Sequence, residues 1–359
     1  MIARWLAQVF AVLRLEIKKT FFSRRGLWVY LLAFAPVLLY MGRSVYAPRE
    51  RSRLARIAEA HPISTETLRS IRVGMSIDEV VARLGEPYAK RSGHHRQEDG
   101  RAFEHGFYKY TDGKSDFRFR FADGKVVYTG RTDPATLGED NLIFATIFQF
   151  YFLRLAVFFG CAGIFMNLFR GEMLDKSLHF YLLTPIPREL LMAGKYLAGL
   201  IATVVIFTAS AALQWTAMLW QYNHQETAAY FAGPGWANLA SYLGVTALAC
   251  VGYGSIFLAA GLLFRSPIIP AAVILVWESA NLFVPASLKH LSLIYYLQSL
   301  CPVVAPPDKE MPLALTFLIS PAQPATTALA VGTIAMFTLV VLVVAGIRAA
   351  RLEINYSTD

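Results

Sequence analysis

The chain has 359 residues, 55% of them hydrophobic, with a mean hydropathy of +0.43 and a formal net charge of +9. Such a composition is too apolar for an ordinary soluble domain and predicts an integral membrane protein. The only cysteines are Cys161, Cys250 and Cys301, and none falls between residues 46 and 140. A disulfide framework and a CxxC metal site are therefore excluded, and the redox compartment stays undetermined.

The first 25 residues predict an amphipathic helix. Charged residues interrupt any signal-peptide core, and no small-residue cleavage site follows. Apolar residues recur at helical spacing, namely Ile2, Leu6, Val9, Leu13, Ile17 and Phe21. We expect this helix to lie in the membrane interface with its cationic face toward lipid headgroups. A surface helix packed on protein explains the pattern equally well.

Six apolar stretches predict membrane-spanning helices, because a bilayer core of about 30 Å takes roughly 20 apolar residues to cross. The stretches are residues 26–46, 142–168, 196–220, 239–264, 268–288 and 326–347. The fifth is the weakest, since it holds Glu278 and ends near Pro285. The sequence therefore predicts a polytopic α-helical membrane protein.

Lys and Arg in the connections predict the orientation. Thirteen basic residues fall in segments 1–25, 169–195, 265–270 and 348–359, against two in 221–237 and 286–325. The positive-inside rule therefore places both termini in the cytoplasm. Segment 47–141 holds 17 basic and 15 acidic residues, but loops longer than about 60 residues translocate largely regardless of charge.

Segment 47–141, between the first and second spans, predicts a small extracytoplasmic α+β domain. Its stretch GMSIDEVVARLGEP offers Ser76 as a helix N-cap, Glu79 for a capping box and Gly85 as the end of the helix. Downstream, phenylalanines alternate with Arg118 and Arg120 between two Asp-Gly turns. We expect a three-stranded antiparallel meander with one aromatic face packed against the helix.

The stretches VGMSIDEVVARLGEP and FRFADGKVVYTG resemble the BamE/SmpA (SmpA/OmlA) envelope lipoprotein fold, although the lipid-anchored cysteine of that family is absent. The resemblance implies a binding or scaffold module. Arg118 and Arg120 are interpreted either as a surface for an anionic ligand or as a solvated strand face. His94, His95 and His105 have no helical i, i+4 pairing and no cysteine nearby, so a loop histidine pair is predicted rather than a metal site.

Residues 170–195, RGEMLDKSLHFYLLTPIPRELLMAGK, follow the second span. Apolar residues at helical spacing predict an amphipathic helix, and Pro185 and Pro187 break it. Thr184 is predicted to cap a new helix that runs through Lys195 into the third span. The sequence therefore predicts a cytoplasmic helix-turn-helix.

This segment resembles the permease subunits of type-two ABC exporters. The matching residues are Arg170, Glu172, Leu182, Leu183, Thr184, Pro185, Arg188, Gly194 and Lys195. The six-span layout, the N-terminal helix and a weakly apolar segment at about 286–325, which corresponds to the external gate helices, agree with that family. The resemblance covers the whole chain except the outer domain. It implies that a coupling helix at about 170–195 fits a groove on a separate ATPase subunit.

The resemblance further implies a bacterial inner-membrane protein that works as a homodimer or a paired permease, in contact with lipids and with an envelope partner at the outer domain. ATP and Mg would be held by the ATPase partner. The chain's Gly-Lys-Ser at 113–115 is not a phosphate-binding loop, because Tyr108 stands where a further glycine is required. No catalytic residue, resident cofactor or nucleic-acid partner is predicted for this chain.

Two charged residues fall inside predicted spans. Arg154 and Glu278 both lie near mid-depth at 1.5 Å per residue. Buried charges are costly in lipid, so we expect the two either to pair or to line a polar path, unless Arg154 has a structural role. Polar and small residues of the spans are assigned to close helix packing; they are Gln214, Gly244, Gly252, Gly254 and Gly261.

Two classes of function remain after these observations. The first is an exporter permease that couples ATP hydrolysis by its partner to translocation. The second is a membrane-anchored envelope scaffold or sensor that acts through the outer domain. An intramembrane enzyme is disfavoured because the sequence has neither HExxH nor GxSxG.

Overall fold

The computed structural model describes residues 2–21, 26–96, 102–133, 136–174, 187–264, 266–281, 283–303 and 323–350. The chain divides into two compact units. The sheet unit is Gly42–Glu139, and the helical unit comprises residues 1–41 and 140–359. The sheet unit covers nearly the same residues as the predicted outer domain, 47–141.

The described elements are mostly helices, with one antiparallel sheet. In chain order they are α1 (Ile2–Phe21), α2 (Leu27–Ala60), α3 (Thr65–Arg69), α4 (Ile77–Leu84), β1 (Ala89–Arg96), β2 (Ala102–Thr111), β3 (Asp116–Ala122), β4 (Lys125–Thr132), α5 (Leu137–Ile147), the π-helical segment π1 (Phe148–Val157), α6 (Phe158–Leu174), α7 (Arg188–Leu219), α8 (His224–Tyr230), the π-helical segment π2 (Phe231–Gly235), α9 (Trp236–Leu263), α10 (Ile268–Ala280), α11 (Ala286–Lys289), α12 (Leu293–Ser299) and α13 (Thr327–Ala350).

Within the described ranges, five helices are long and apolar enough to cross a membrane. They are Leu27–Ala60, Leu137–Phe169, Arg188–Leu219, His224–Leu263 and Thr327–Ala350. Each overlaps one of the predicted spans. The predicted fifth span, 268–288, is not confirmed as a full crossing, because α10 has only 13 residues. At 1.5 Å per residue it reaches about 20 Å, short of the roughly 30 Å of a bilayer core.

The helical unit is built around α9, which packs against α6, α7 and α13. Glycines allow the close approach of α6. A Cβ added at Gly254 would lie 2.6 Å from the Phe165 ring, and one added at Gly261 would lie 2.8 Å from the Met166 carbonyl oxygen. The packing role predicted for these two glycines is thus confirmed, whereas Gly244 has nothing within 4 Å of an added Cβ.

The N-terminal helix α1 packs along α7. Val12 and Glu16 are buried on its inner face, while Phe10, Arg14 and Leu15 are exposed. Of the two expectations for this helix, packing on protein is the one seen. A helix with both an apolar and a cationic exposed surface remains compatible with an interfacial position.

The sheet unit contains a four-stranded antiparallel sheet in the order β1-β2-β3-β4. The predicted three-stranded meander was incomplete, because β1 has the sequence AKRSGHHR and shows no apolar alternation. His94 and His95 lie within β1, opposite Glu104 and Phe103, so their assignment to a loop was wrong. His105 lies in β2, within the stretch that was predicted to form the meander.

The core of the sheet unit lies between the sheet and helices α3 and α4. The aromatic face of β3 is buried as predicted, and the core residues are Leu68, Ile71, Val80, Leu84, Tyr110, Phe117, Phe119, Phe121 and Val126. The predicted capping box between Ser76 and Glu79 is present, and Gly85 ends α4 at a φ of 76°. The Tyr110 hydroxyl donates to the Gly85 carbonyl at 3.0 Å and ties the helix end to the sheet.

Candidate functional site

A buried ion pair of the helical unit joins α1 and α7, and its ammonium also contacts α6. Lys195 Nζ lies 2.6 Å from Glu16 Oε1, and both side chains are buried, with exposed fractions of 0% and 1%. Lys195 Nζ also donates to the Leu168 carbonyl oxygen at 3.1 Å. We call the contact among Glu16, Leu168, Gly194 and Lys195 the α1–α7 junction.

Gly194 makes the α1–α7 junction sterically feasible. A Cβ at this position would lie 2.9 Å from Val12 Cγ1 on α1, closer than side-chain carbons normally approach. The Gly194-Lys195 pair therefore combines close helix approach with an ionic anchor. Gly194 and Lys195 were both predicted to belong to the coupling segment, whereas Glu16 was not predicted as part of it. The sequence does mark Glu16, because it is the only acidic residue among the first 49.

The other residues of the predicted coupling segment precede Gly194 and Lys195 in the chain. Glu172 is in the last turns of α6. Residues 175–186, which include Leu182, Leu183, Thr184 and Pro185, lie outside the described residues. Arg188 begins α7, and its Nη1 atom donates to the Ala350 carbonyl oxygen at 3.3 Å.

The N-cap of α7 is Pro187, with extended backbone angles, so the prediction that Thr184 caps this helix was wrong. Thr184 itself lies outside the described residues. Pro187 provides a well-defined start for α7, because its own missing N–H is one that a helix terminus leaves unused.

Arg154 lies in π1, midway along the span Leu137–Phe169, and its exposed fraction is 9%. Its Nη1 atom is 3.3 Å from the carbonyl oxygen of Glu278 and 3.5 Å from that of Ser279. Its guanidinium also lies 5.5 Å from the centre of the Phe150 ring. Arg154 thus donates to backbone carbonyls at the C-terminal end of α10, where a helix leaves oxygen atoms unpaired.

The Glu278 carboxylate contacts the end of a different helix, the N-terminus of α12. Its oxygens accept hydrogen bonds from the backbone N–H groups of Leu293 at 3.0 Å and Ile294 at 2.8 Å. The Ser292 hydroxyl donates at 2.9 Å and the Tyr253 hydroxyl at 3.3 Å. The carboxylate therefore caps the N-terminus of α12, whose orphan N–H groups favour a negative charge.

The structure brings Arg154 and Glu278 together, but not as an ion pair between their side chains. The guanidinium contacts the main chain of Glu278, and the carboxylate is held by α12 and Tyr253. Both charges fix the segment that runs from α10 to α12. Arg154 Nε and Nη2 are buried without a hydrogen-bond partner among the described residues.

A buried polar cluster around Asp140 was missed from the sequence. Asp140 is 1% exposed, and its Oδ2 atom accepts hydrogen bonds from the Gln221 amide and, at 2.6 Å, from the Tyr222 hydroxyl. The contact joins the start of α5 to the segment after α7. Asp140 falls within the predicted outer domain, 47–141, where an exposed charged residue is expected, but the structure places it in the helical unit.

Arg118 and Arg120 lie on β3 and are exposed. The Arg118 guanidinium lies 5.4 Å from the centre of the Phe107 ring and lines a cavity. The Arg120 guanidinium lies 5.5 Å from the Tyr128 ring. Within the described ranges, no group of three or more His, Cys, Asp or Glu residues is placed to hold a metal ion.

The Gly-Lys-Ser sequence at 113–115 forms the turn between β2 and β3, as predicted, with Gly113 at a φ of 87°. Asp112 Oδ1 accepts from the Ser115 N–H at 2.6 Å and the Lys114 N–H at 2.9 Å, and Oδ2 accepts from the Thr65 hydroxyl at 2.8 Å. Burial raises the pKa of Asp112, but these hydrogen bonds outweigh burial and hold the pKa below 3.8.

Comparison of the chain with protein-family models, with curated proteins and with solved structures gave no match. The functional proposal therefore depends on this chain's own residues and on the resemblance of residues 170–195 to exporter permeases.

Proposed function

We propose that this chain is the membrane-spanning permease subunit of an ATP-driven exporter of the type-two ABC class. In this proposal a separate ATPase subunit holds ATP and Mg, and two permease chains form the pathway. Five long apolar helices and the short apolar helix α10 support a layout of six membrane-inserted segments. In this proposal both termini lie in the cytoplasm of a bacterial cell, and segment 47–141 lies on the opposite side of the inner membrane.

The observation that carries the proposal is the α1–α7 junction. The resemblance puts the contact with the ATPase in the coupling helix at about 170–195, and Lys195 is the last residue of that segment. The buried ion pair with Glu16 and the hydrogen bond to Leu168 hold α1, α6 and α7 together at this point. A displacement of the coupling segment would therefore move α1, α6 and α7 together, so that motion of the ATPase is transmitted to the membrane-spanning helices.

The α10–α12 segment supplies the second part of the proposal. Glu278 and Arg154 hold two helix ends close to the predicted external gate at 286–325. In this proposal, loss of the hydrogen bonds to the Glu278 carboxylate would release the N-terminus of α12. We propose that α10, α11 and α12 form a hairpin that enters the membrane without crossing it and that closes the outer end of the pathway.

A cysteine placed in the coupling segment tests the assignment. The three native cysteines are buried, so Leu183→Cys introduces one reactive thiol at the predicted contact. We expect a short thiol crosslinker to join this residue to a nucleotide-hydrolysing protein in native membranes. The matched control is Arg69→Cys, at an exposed position of the sheet unit, which should give no such product.

Labelling from the two sides of the membrane gives the contradicting outcome. The proposal fails if an impermeant thiol reagent applied to intact cells, after opening of the outer membrane, modifies Leu183→Cys and leaves Arg69→Cys unmodified. It also fails if the ATPase activity of the purified assembly is unchanged when residues 175–186 are replaced by a flexible linker of equal length.

A membrane-anchored scaffold or sensor is the second candidate, and the sheet unit favours it. That unit has its own closed hydrophobic core of nine residues. A scaffold would keep its envelope partner after the coupling segment is replaced, and it would need no ATPase. Crosslinking from Arg69→Cys to an envelope protein, with no ATPase recovered through Leu183→Cys, would support this function over export.

A further inference from the structure

The sheet unit contains a cavity of about 420 Å³ between helix α2 and strands β2 to β4. This size is within the range of small-molecule sites. Five basic side chains and four carboxylates line it. Some of these charged groups already form ion pairs or hydrogen bonds with neighbouring residues. The groups that do not form such contacts determine what kind of ligand the cavity can hold.

The carboxylates of the cavity are engaged. Asp116 lies 3.2 Å from Lys109 Nζ and accepts a hydrogen bond from the Tyr88 hydroxyl at 2.7 Å. Burial and Asp116 both raise the pKa of Tyr88, so this hydroxyl remains a donor at neutral pH.

The remaining three carboxylates also have donors. Asp133 accepts from Arg131 at 2.5 Å and from the Ser115 hydroxyl at 2.8 Å. Glu139 accepts from the Thr136 N–H, and Glu50 lies 3.7 Å from Arg53 Nη1. A cationic ligand would have to displace these contacts.

Two of the basic side chains that line the cavity donate no hydrogen bond to another described residue. Among the residues described, Lys114 Nζ has no hydrogen-bond acceptor, and Arg118 has only the face of the Phe107 ring. Both side chains are exposed, line the cavity and carry N–H donors. Because the cavity has more free hydrogen-bond donors than free acceptors, it favours an anionic ligand. A guanidinium and an ammonium that line one cavity suit the oxygens of a phosphoryl group.

The cavity also takes its lining from the part of α2 that directly follows the apolar run. Measured along the helix axis from Leu27, Arg43 lies about 24 Å and Arg51 about 36 Å along at 1.5 Å per residue. A hydrocarbon core is about 30 Å thick, so a helix that enters it at Leu27 would leave it between Arg43 and Arg51. Tyr46, between them, is 66% exposed, as an aromatic residue at a membrane interface would be.

We propose that this cavity binds the phosphoryl group of an anionic phospholipid headgroup, with Lys114 and Arg118 as the donors. The ligand chemistry is a singly charged phosphate ester, and the depth of the cavity along α2 points to the bilayer as its source. Binding would tie the sheet unit to the membrane surface. This inference is independent of the transport proposal, because a scaffold would use the same contact.

The test uses the full chain in nanodiscs of phosphatidylcholine alone or mixed with phosphatidylglycerol. Native mass spectrometry counts the phosphatidylglycerol molecules retained per chain. We expect Lys114→Gln and Arg118→Gln each to weaken retention about fivefold, the effect of removing one basic residue near a lipid surface. Arg120→Gln is the matched control, since it removes the same charge from the same strand without lining the cavity.

Both substitutions replace exposed side chains, so the variants should fold, and their unfolding temperatures verify it. Equal losses from Arg118→Gln and Arg120→Gln would overturn the site in favour of diffuse charge attraction. Inorganic phosphate titrated into phosphatidylcholine nanodiscs distinguishes the source. Phosphate binding that depends on Arg118, with phosphatidylglycerol retention equal in all variants, would overturn the lipid headgroup as the ligand.

Discussion

Breaking the α1–α7 junction should destabilise the helical unit strongly, and the geometry sets the size of the effect. Lys195→Met leaves the Glu16 carboxylate buried at 1% exposure without its ammonium partner, which lies 2.6 Å away in the native chain. Removing one member of a buried ion pair costs about 3–5 kcal/mol. The Leu168 carbonyl also loses a donor, which adds about 1 kcal/mol.

The double variant isolates the interaction. Glu16→Gln with Lys195→Met leaves no unpaired charge, so its loss of stability should be well below the sum of the single losses. We expect a coupling energy of about 2 kcal/mol or more. Reversible unfolding in mixed micelles, followed through an SDS titration, measures the free energies.

Arg14→Met is the control, because it removes a cation from the exposed face of the same helix and should change stability by no more than about 0.5 kcal/mol. Additive losses in the Glu16 and Lys195 variants would refute the reasoning, since two residues that do not interact lose stability independently. A stable Lys195→Met variant would refute it as well.

Three further predictions concern other contacts. Gly261→Ala should destabilise the helical unit by about 1–3 kcal/mol, because the new Cβ would meet the Met166 backbone at 2.8 Å, whereas Gly244→Ala should be neutral or slightly stabilising; the same SDS titration compares them. Glu278→Gln should cost about 1–3 kcal/mol and expose the amides of α12, read by hydrogen exchange, while Tyr253→Phe removes only a 3.3 Å donor and should have a small effect. The folded-state pKa of Asp112 is lowered, so its contribution is present above about pH 3.8 and is lost as the pH falls through the folded value; hydrogen-exchange protection of β2 and β3 should fall there in the native chain and show no such step in Asp112→Asn.

Local features of the sequence predicted local structure well. Ser76, Glu79 and Gly85 act within one short helix, and their capping box and helix end are present. The aromatic face of β3 follows from alternation alone. Strand β1 was missed because it is polar and is held by pairing with β2, a contact that strand propensity does not encode. The fifth span was overestimated because hydropathy counts apolar residues beyond Ala280, where α10 ends.

The candidate site was harder to predict, since its contacts join distant parts of the chain. Glu16 and Lys195 are 179 residues apart, and no spacing rule relates them. Arg154 and Glu278 were identified as costly charges in a membrane, and the structure places them together. Their real partners are helix ends, which cannot be located until the packing of α10 and α12 is known.

One continuous span connects the two polar contacts of the helical unit. Leu137–Phe169 carries Arg154, which holds the C-terminal end of α10, and Leu168, whose carbonyl accepts from Lys195. The two positions are 14 residues apart, about 21 Å along the helix axis. If this span shifts as a rigid element, it must change its contacts at both ends or at neither, because packed helices move between discrete arrangements. The span therefore provides a physical connection between the predicted coupling segment and the predicted gate. The π-helical segment π1 interrupts the regular α-helix within this span, and it contains Arg154.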